Sequence, residues 1–210
     1  MKIAVLLSGR INDNETIYKS IMDNIIGDNY VDFFICHPND YNKEILENVK
    51  KLYNPKDTIK NDEKYFDISK YPYHFSTNKH NTMCMYLNKF KLFEIFNNYI
   101  TANNINYDIV FLCRMDIFFH EKINLPELKK IIDDNILCIP KPDVLNFGID
   151  HFAFGNYETI KLYSKTYESL KQLLDNGVLL HPETLLENYF ATLNIKIVLL
   201  SIKYHIIIYK

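Results

Sequence analysis

Of the 24 Lys and Arg residues, only Arg10 and Arg114 are arginine, and each directly follows an apolar run. Arginine carries a rigid fork of donors suited to phosphate and carboxylate, which lysine lacks. Arg10 closes Ser8-Gly9-Arg10 after Ile3–Leu7, and Arg114 opens Arg114-Met115-Asp116 after Asp108–Cys113. A carboxylate just beyond a buried strand can bind Mg²⁺ or Mn²⁺, hard cations that bridge diphosphate oxygens. The adjacent guanidinium can neutralise the same group or pair with the carboxylate. Other strand and helix ends supply His37 and Asp40, then Asp150, then His181 and Glu183. A pocket carboxylate such as Asp150 can take the proton of a hydroxyl. Plainer uses exist for the same residues. Asp116 suits a turn, Glu183 suits the first turn of a helix, and Lys89 suits a snorkelling side chain on an aromatic helix.

The elements that must position these residues follow from hydrophobic pattern. Ile3–Leu7, Val31–Cys36 and Asp108–Cys113 are nearly continuous apolar runs, the pattern of strands covered on both faces of a parallel sheet. Between them, Ile17, Ile21 and Ile25 recur at helical spacing up to Gly27, and Ile45, Val49 and Leu52 mark a second helix. This strand–helix alternation predicts an α/β domain. Residues 54–80 are polar and aperiodic, with a short strand near Thr58-Ile59, and read as a functional loop or lid. Asn81–Ala102 is the longest expected helix. Further helices are expected over Leu125–Ile132, from Ile160 to Gly177 as one element, and from His181-Pro182-Glu183. Strands are expected over Ile136–Ile139, His151–Phe154, Ile195–Leu200 and Tyr204–Ile208. No linker interrupts residues 1–210, so one domain is expected. In an open α/β sheet, ligands bind beyond the carboxyl ends of the strands. That rule gathers Ser8–Arg10, Arg114, Asp116 and Asp150 on one edge.

The composition narrows the function. With 210 residues, 48% hydrophobic and 24% charged, the chain can bury a core. Its formal charge of −2 offers no general field for nucleic acid. No apolar run approaches the ~18 residues of a membrane helix, so a cytoplasmic protein without a transmembrane segment is expected. The four cysteines form no CxxC pair and read as free thiols. GxGxxG, GxxxxGK[ST] and GxSxG are all missing, which argues against dehydrogenases, P-loop enzymes and hydrolases of those types.

In order along the chain, MKIAVLLSGR, VDFFICH, YDIVFLCRMDIFF, GIDHFAFGNYETI and HPETLL resemble small glycosyltransferases of the GT-A fold, found in bacterial surface-polysaccharide clusters and large DNA viruses. The resemblance implies a mostly parallel sheet flanked by helices, as in nucleotide-diphospho-sugar transferases. It implies a nucleotide-diphosphate-sugar donor and a glycan or other hydroxyl acceptor. In that family a DxD motif holds Mn²⁺ or Mg²⁺ and the donor diphosphate. Here the position reads Arg114-Met115-Asp116, so Asp116 alone maps onto a metal ligand, and Arg114 takes over part of the cation's role. The resemblance also lays Ser8, Gly9 and Arg10 against the nucleotide and sets Lys89 near the donor. It puts Asp150 near the donor sugar or acceptor and matches His205 to a late metal-binding histidine; Asp150, or in its place Glu183, would then deprotonate the acceptor hydroxyl. A nucleotidyltransferase, or a noncatalytic nucleotide- or sugar-binding module, would use the same strand-end charges.

Overall fold

The computed structural model describes residues 1–10, 14–38, 43–61, 64–75, 77–141 and 150–207. Asp40, the Gly148-Ile149 pair and Ile208 lie outside them. The first half alternates as the pattern predicts: β1 (Lys2–Ser8), α1 (Asn14–Ile21), β2 (Tyr30–Pro38), α2 (Lys43–Tyr53) and β3 (Asp57–Asn61). One π-helical turn, Met22–Ile26, extends α1 to Gly27. Then come α3 (Lys79–Asn103), β4 (Ile109–Arg114), β5 (Ile117–Phe119), α4 (Leu125–Asp133), β6 (Ile136–Pro140) and β7 (Phe152–Gly155). The chain continues with α5 (Tyr157–Ser164), α6 (Thr166–Asp175), α7 (Pro182–Ala191), β8 (Lys196–Leu200) and β9 (Tyr204–Ile206).

Seven strands form one sheet in the order β3-β2-β1-β4-β7-β6-β8. The β2–β3, β1–β2, β1–β4 and β6–β8 pairs are parallel, and only β7 runs against its neighbours. The apolar runs are explained by burial on both faces. Along β1, Ala4 and Leu6 face a core shared with α3, α5, α6 and α7, while Ile3, Val5 and Leu7 face a second core shared with α1, α2 and α4. A separate ribbon pairs β5 with β9.

One expectation is corrected. The single helix expected from Ile160 to Gly177 breaks at Lys165. Ser164 Oγ bonds the Lys161 carbonyl at 2.9 Å and Thr166 Oγ1 the Tyr163 carbonyl at 2.8 Å, so side-chain hydroxyls compete with the helical ladder there. The 64–75 stretch is irregular but anchored. Ile68 and Tyr71 are buried, Tyr71 Oη donates to Asp175 at 2.5 Å, and Leu180 N donates to the Pro72 carbonyl at 3.0 Å. Cys36, Cys113 and Cys138 are buried free thiols, and burial pushes Cys36 up to about 12 and Cys138 up to about 11. No helix among the described residues is long and apolar enough to cross a membrane.

Candidate functional site

Parallel pairing brings the ends of β1, β2, β3 and β4 to one edge, with Ser8 level with both Cys36 and Arg114. Because β7 is antiparallel, its beginning reaches the same edge. There Gly9 N donates to the Cys36 carbonyl at 3.2 Å, Met115 N to the Ser8 carbonyl at 3.1 Å, and Arg114 N to the His151 carbonyl at 3.2 Å. Gly9 turns with φ +114°, a conformation that side-chain-bearing residues rarely adopt. Beyond this edge opens a cleft of about 620 Å³, whose walls include Ser8, Gly9, Arg10, Arg114, Asp116 and Asp150. Glu183, in the first turn of α7, lines it too.

Arg114 and Asp116 face each other as a two-pronged pair. Arg114 Nε donates to Asp116 Oδ1 at 2.8 Å, and Arg114 Nη2 to Oδ2 at 2.6 Å. Burial works against the guanidinium's charge, but the carboxylate more than offsets it, and the Arg114 pKa is raised.

Asp150 is 3% exposed and sits over a buried polar cluster. Lys89 Nζ donates to its carbonyl at 2.6 Å and to Tyr163 Oη at 3.0 Å, and Tyr163 Oη donates to the same carbonyl at 3.1 Å. The Asp150 Oδ2 atom is buried without a hydrogen bond, 3.6 Å from Lys89 Nζ. Burial pushes the Asp150 pKa up, yet Lys89, His151 and Arg114 together outweigh it and the net shift is downward. Burial lowers the Lys89 pKa, and Asp150 opposes that only in part. His151, whose Nδ1 lies 2.9 Å from Tyr204 Oη, is also lowered by burial.

The structure therefore brings Ser8, Gly9, Arg10, Arg114, Asp116, Asp150 and Glu183 together. It does not bring Lys89 to the cleft surface. Lys89 is 1% exposed, is not among the lining residues, and holds Asp150 from behind. Nor does it aim His205 at Asp116. Backbone pairing brings β9 close, with Ile207 N 2.8 Å from the Asp116 carbonyl, but the His205 ring turns to His120 (2.7 Å) and is exposed outside the cleft. His37 is buried at the end of β2. His181 Nε2 lies 3.3 Å from Glu183.

The opposite wall was not anticipated. It is built by the first turns of α3, including His80, Cys84 and Asn88. Tyr65 Oη and His80 Nδ1 are 2.6 Å apart, and Asn61 Nδ2 donates to Asn88 Oδ1. The polar residues interrupting the apolar stripe of α3 were the available signal.

A divalent ion held by Asp116 fits these residues poorly. Both Asp116 oxygens are engaged by a guanidinium, and His205 faces away. Among the described residues, no group of three or more His, Cys, Asp or Glu is placed to hold a metal. Compared with known proteins, the chain matches no protein-family model and no curated protein.

Proposed function

We propose that this protein is a GT-A-type glycosyltransferase that moves a sugar from a nucleotide-diphosphate-sugar donor to a hydroxyl of a glycan or other acceptor. The observation that carries this reading is convergence. The Ser8–Arg10 turn, the Arg114–Asp116 pair and the buried Asp150 reach one cleft from separate parts of the chain. The cleft's volume lies within the range of about 300–1,000 Å³ usual for ligand sites. Its position beyond the strand ends is where open α/β sheets bind nucleotides.

In the proposed reaction the Asp150 carboxylate accepts the proton of the acceptor hydroxyl. The hydroxyl oxygen forms a bond to the donor's anomeric carbon. The bond from that carbon to the diphosphate oxygen breaks, and its electron pair leaves on the nucleoside diphosphate. Arg114 stabilises that departing charge. The lowered pKa keeps Asp150 ionised at neutral pH, as a proton acceptor must be.

The test is a panel of nucleotide sugars with candidate hydroxyl acceptors, reading release of nucleoside diphosphate. Turnover by the wild type, reduced about 10²–10⁴-fold in Asp150→Asn at a temperature where the variant, destabilised by the loss of the Lys89 partner, is still folded, supports the reading. Release of pyrophosphate from nucleoside triphosphates would replace it with a nucleotidyltransferase. Nucleotide binding without any turnover would leave a binding module, a reading that the Lys89–Asp150 pairing favours second.

A further inference from the structure

We propose that the donor diphosphate is bound by protein groups alone, with Arg114 as the fixed cation and no divalent metal between carboxylate and phosphate. This rests on the glycosyltransferase reading and narrows it.

The first argument is the geometry of the carboxylates. Asp116 spends both oxygens on the Arg114 fork. A divalent ion on the same carboxylate would sit against a guanidinium of like charge. Asp150 has the Lys89 ammonium 3.6 Å from its Oδ2, and Glu183 has His181 Nε2 at 3.3 Å. Each carboxylate at the cleft is thus already matched with a cationic or protonatable group. A hard cation needs several uncommitted oxygens. Asp150 Oδ2, a buried carboxylate oxygen without a hydrogen bond, lies beside an ammonium, a poor place for a second cation.

The second argument is that the anion's partners are already supplied. Arg114 has five N–H donors, of which Asp116 takes two, leaving three for phosphate oxygens. Asp116 fixes the fork in advance, so binding need not order a flexible side chain. The first turns of α3 and α7 also line the cleft, but the Asn81 N–H is already capped by Asn78 Oδ1 and α7 opens with Pro182 and Glu183, so the arginines and not the helix ends are the anion's main partners. Arg10 adds a further cation on the β1 side.

The experiment is calorimetric titration of the full chain with UDP, GDP, ADP, CDP and dTDP, each in excess EDTA and in excess Mn²⁺. The expected result is that the nucleotide that binds has dissociation constants within about tenfold of each other in the two conditions. Arg114→Lys, checked for an unchanged thermal midpoint, is expected to weaken binding in EDTA by about tenfold or more. A dissociation constant more than about tenfold lower in Mn²⁺ would overturn the proposal while leaving the donor site intact. Undiminished binding by a folded Arg114→Lys would overturn Arg114's part in it. Binding of no nucleotide in either condition would remove the donor-site reading, and this inference with it. The EDTA and Mn²⁺ comparison needs no variant, so it holds if Arg114→Lys fails to fold.

Discussion

Lys89 Nζ lies 2.6 Å from the Asp150 carbonyl oxygen and 3.6 Å from Asp150 Oδ2, both side chains being almost fully buried. One lysine therefore satisfies the backbone and balances the charge of the same residue. Removing it leaves an uncompensated carboxylate inside the protein. Lys89→Met, which keeps the volume, is expected to cost about 3–5 kcal/mol in urea unfolding. Adding Asp150→Asn should recover a large part of that loss, because the stranded charge is then gone. If the double variant were as unstable as the single one, the ion pair would not be the source of the effect.

Two pH windows follow from the shifted groups. His151 has a lowered pKa when folded, with burial the main cause. Between that value and about 6.5, its unfolded pKa, the unfolded chain binds the additional proton. Its contribution is complete above about pH 6.5 and is lost as the pH falls through that window. Asp150, also lowered when folded, adds a second loss below about pH 3.9, its unfolded value. Urea unfolding across pH should show both, and His151→Gln should flatten only the upper one. An unchanged upper slope in that variant would refute the assignment.

Cys84 offers a reporter of the cleft. It is partly buried on the α3 wall, whereas Cys36, Cys113 and Cys138 are enclosed in the core. A thiol reagent should modify one cysteine of the native chain and all four under denaturing conditions. The native reaction should be slow at neutral pH, since burial raises the Cys84 pKa. The nucleotide that binds the cleft should slow it further. Rapid labelling of two or more thiols in the native state would contradict the packing described.

Gly9→Ala tests the turn that carries the first wall of the cleft. A Cβ there would meet no atom within 4 Å, so any penalty comes from the φ of +114° and not from crowding. Backbone strain of this kind costs on the order of 1–3 kcal/mol. For a chain of this length each kcal/mol lowers the thermal midpoint by about 2–4 °C. An unchanged midpoint would mean that the turn relaxes at no cost.

Much of the fold was legible because burial on both faces leaves a plain mark. Ile3–Leu7, Val31–Cys36 and the run through Cys113 announce strands without any long-range information. Direction leaves no such mark. Phe152–Gly155 reads as a strand, but nothing local says that it runs against β4. The three residues of β5 were missed because their partner strand lies far away in sequence. The site was legible in the same proportion. Ser8–Arg10, Arg114 and Asp116 follow strand ends and were found from position. Lys89 was taken for a ligand contact because a mid-helix lysine shows its charge in sequence but not its partners. Asp150 and Tyr163, which bury it, come from other segments. His205 was misread for the same reason, its ring being claimed by His120 across the β5–β9 ribbon.

The reversed strand has a further consequence. Arg114 ends β4, His151 leads into β7, and the two are joined by a backbone hydrogen bond of 3.2 Å. The spacing between the guanidinium and the neighbouring Asp150 is thus metered by the rungs of a ladder, not by the length of the chain that connects them. The short loops that join β5, α4 and β6 can therefore lengthen or shorten without resetting that distance, provided the ladder keeps its register. A slip of one rung would do what no loop change can, moving the side chains of the slipped strand to the opposite core together with the chemistry they carry.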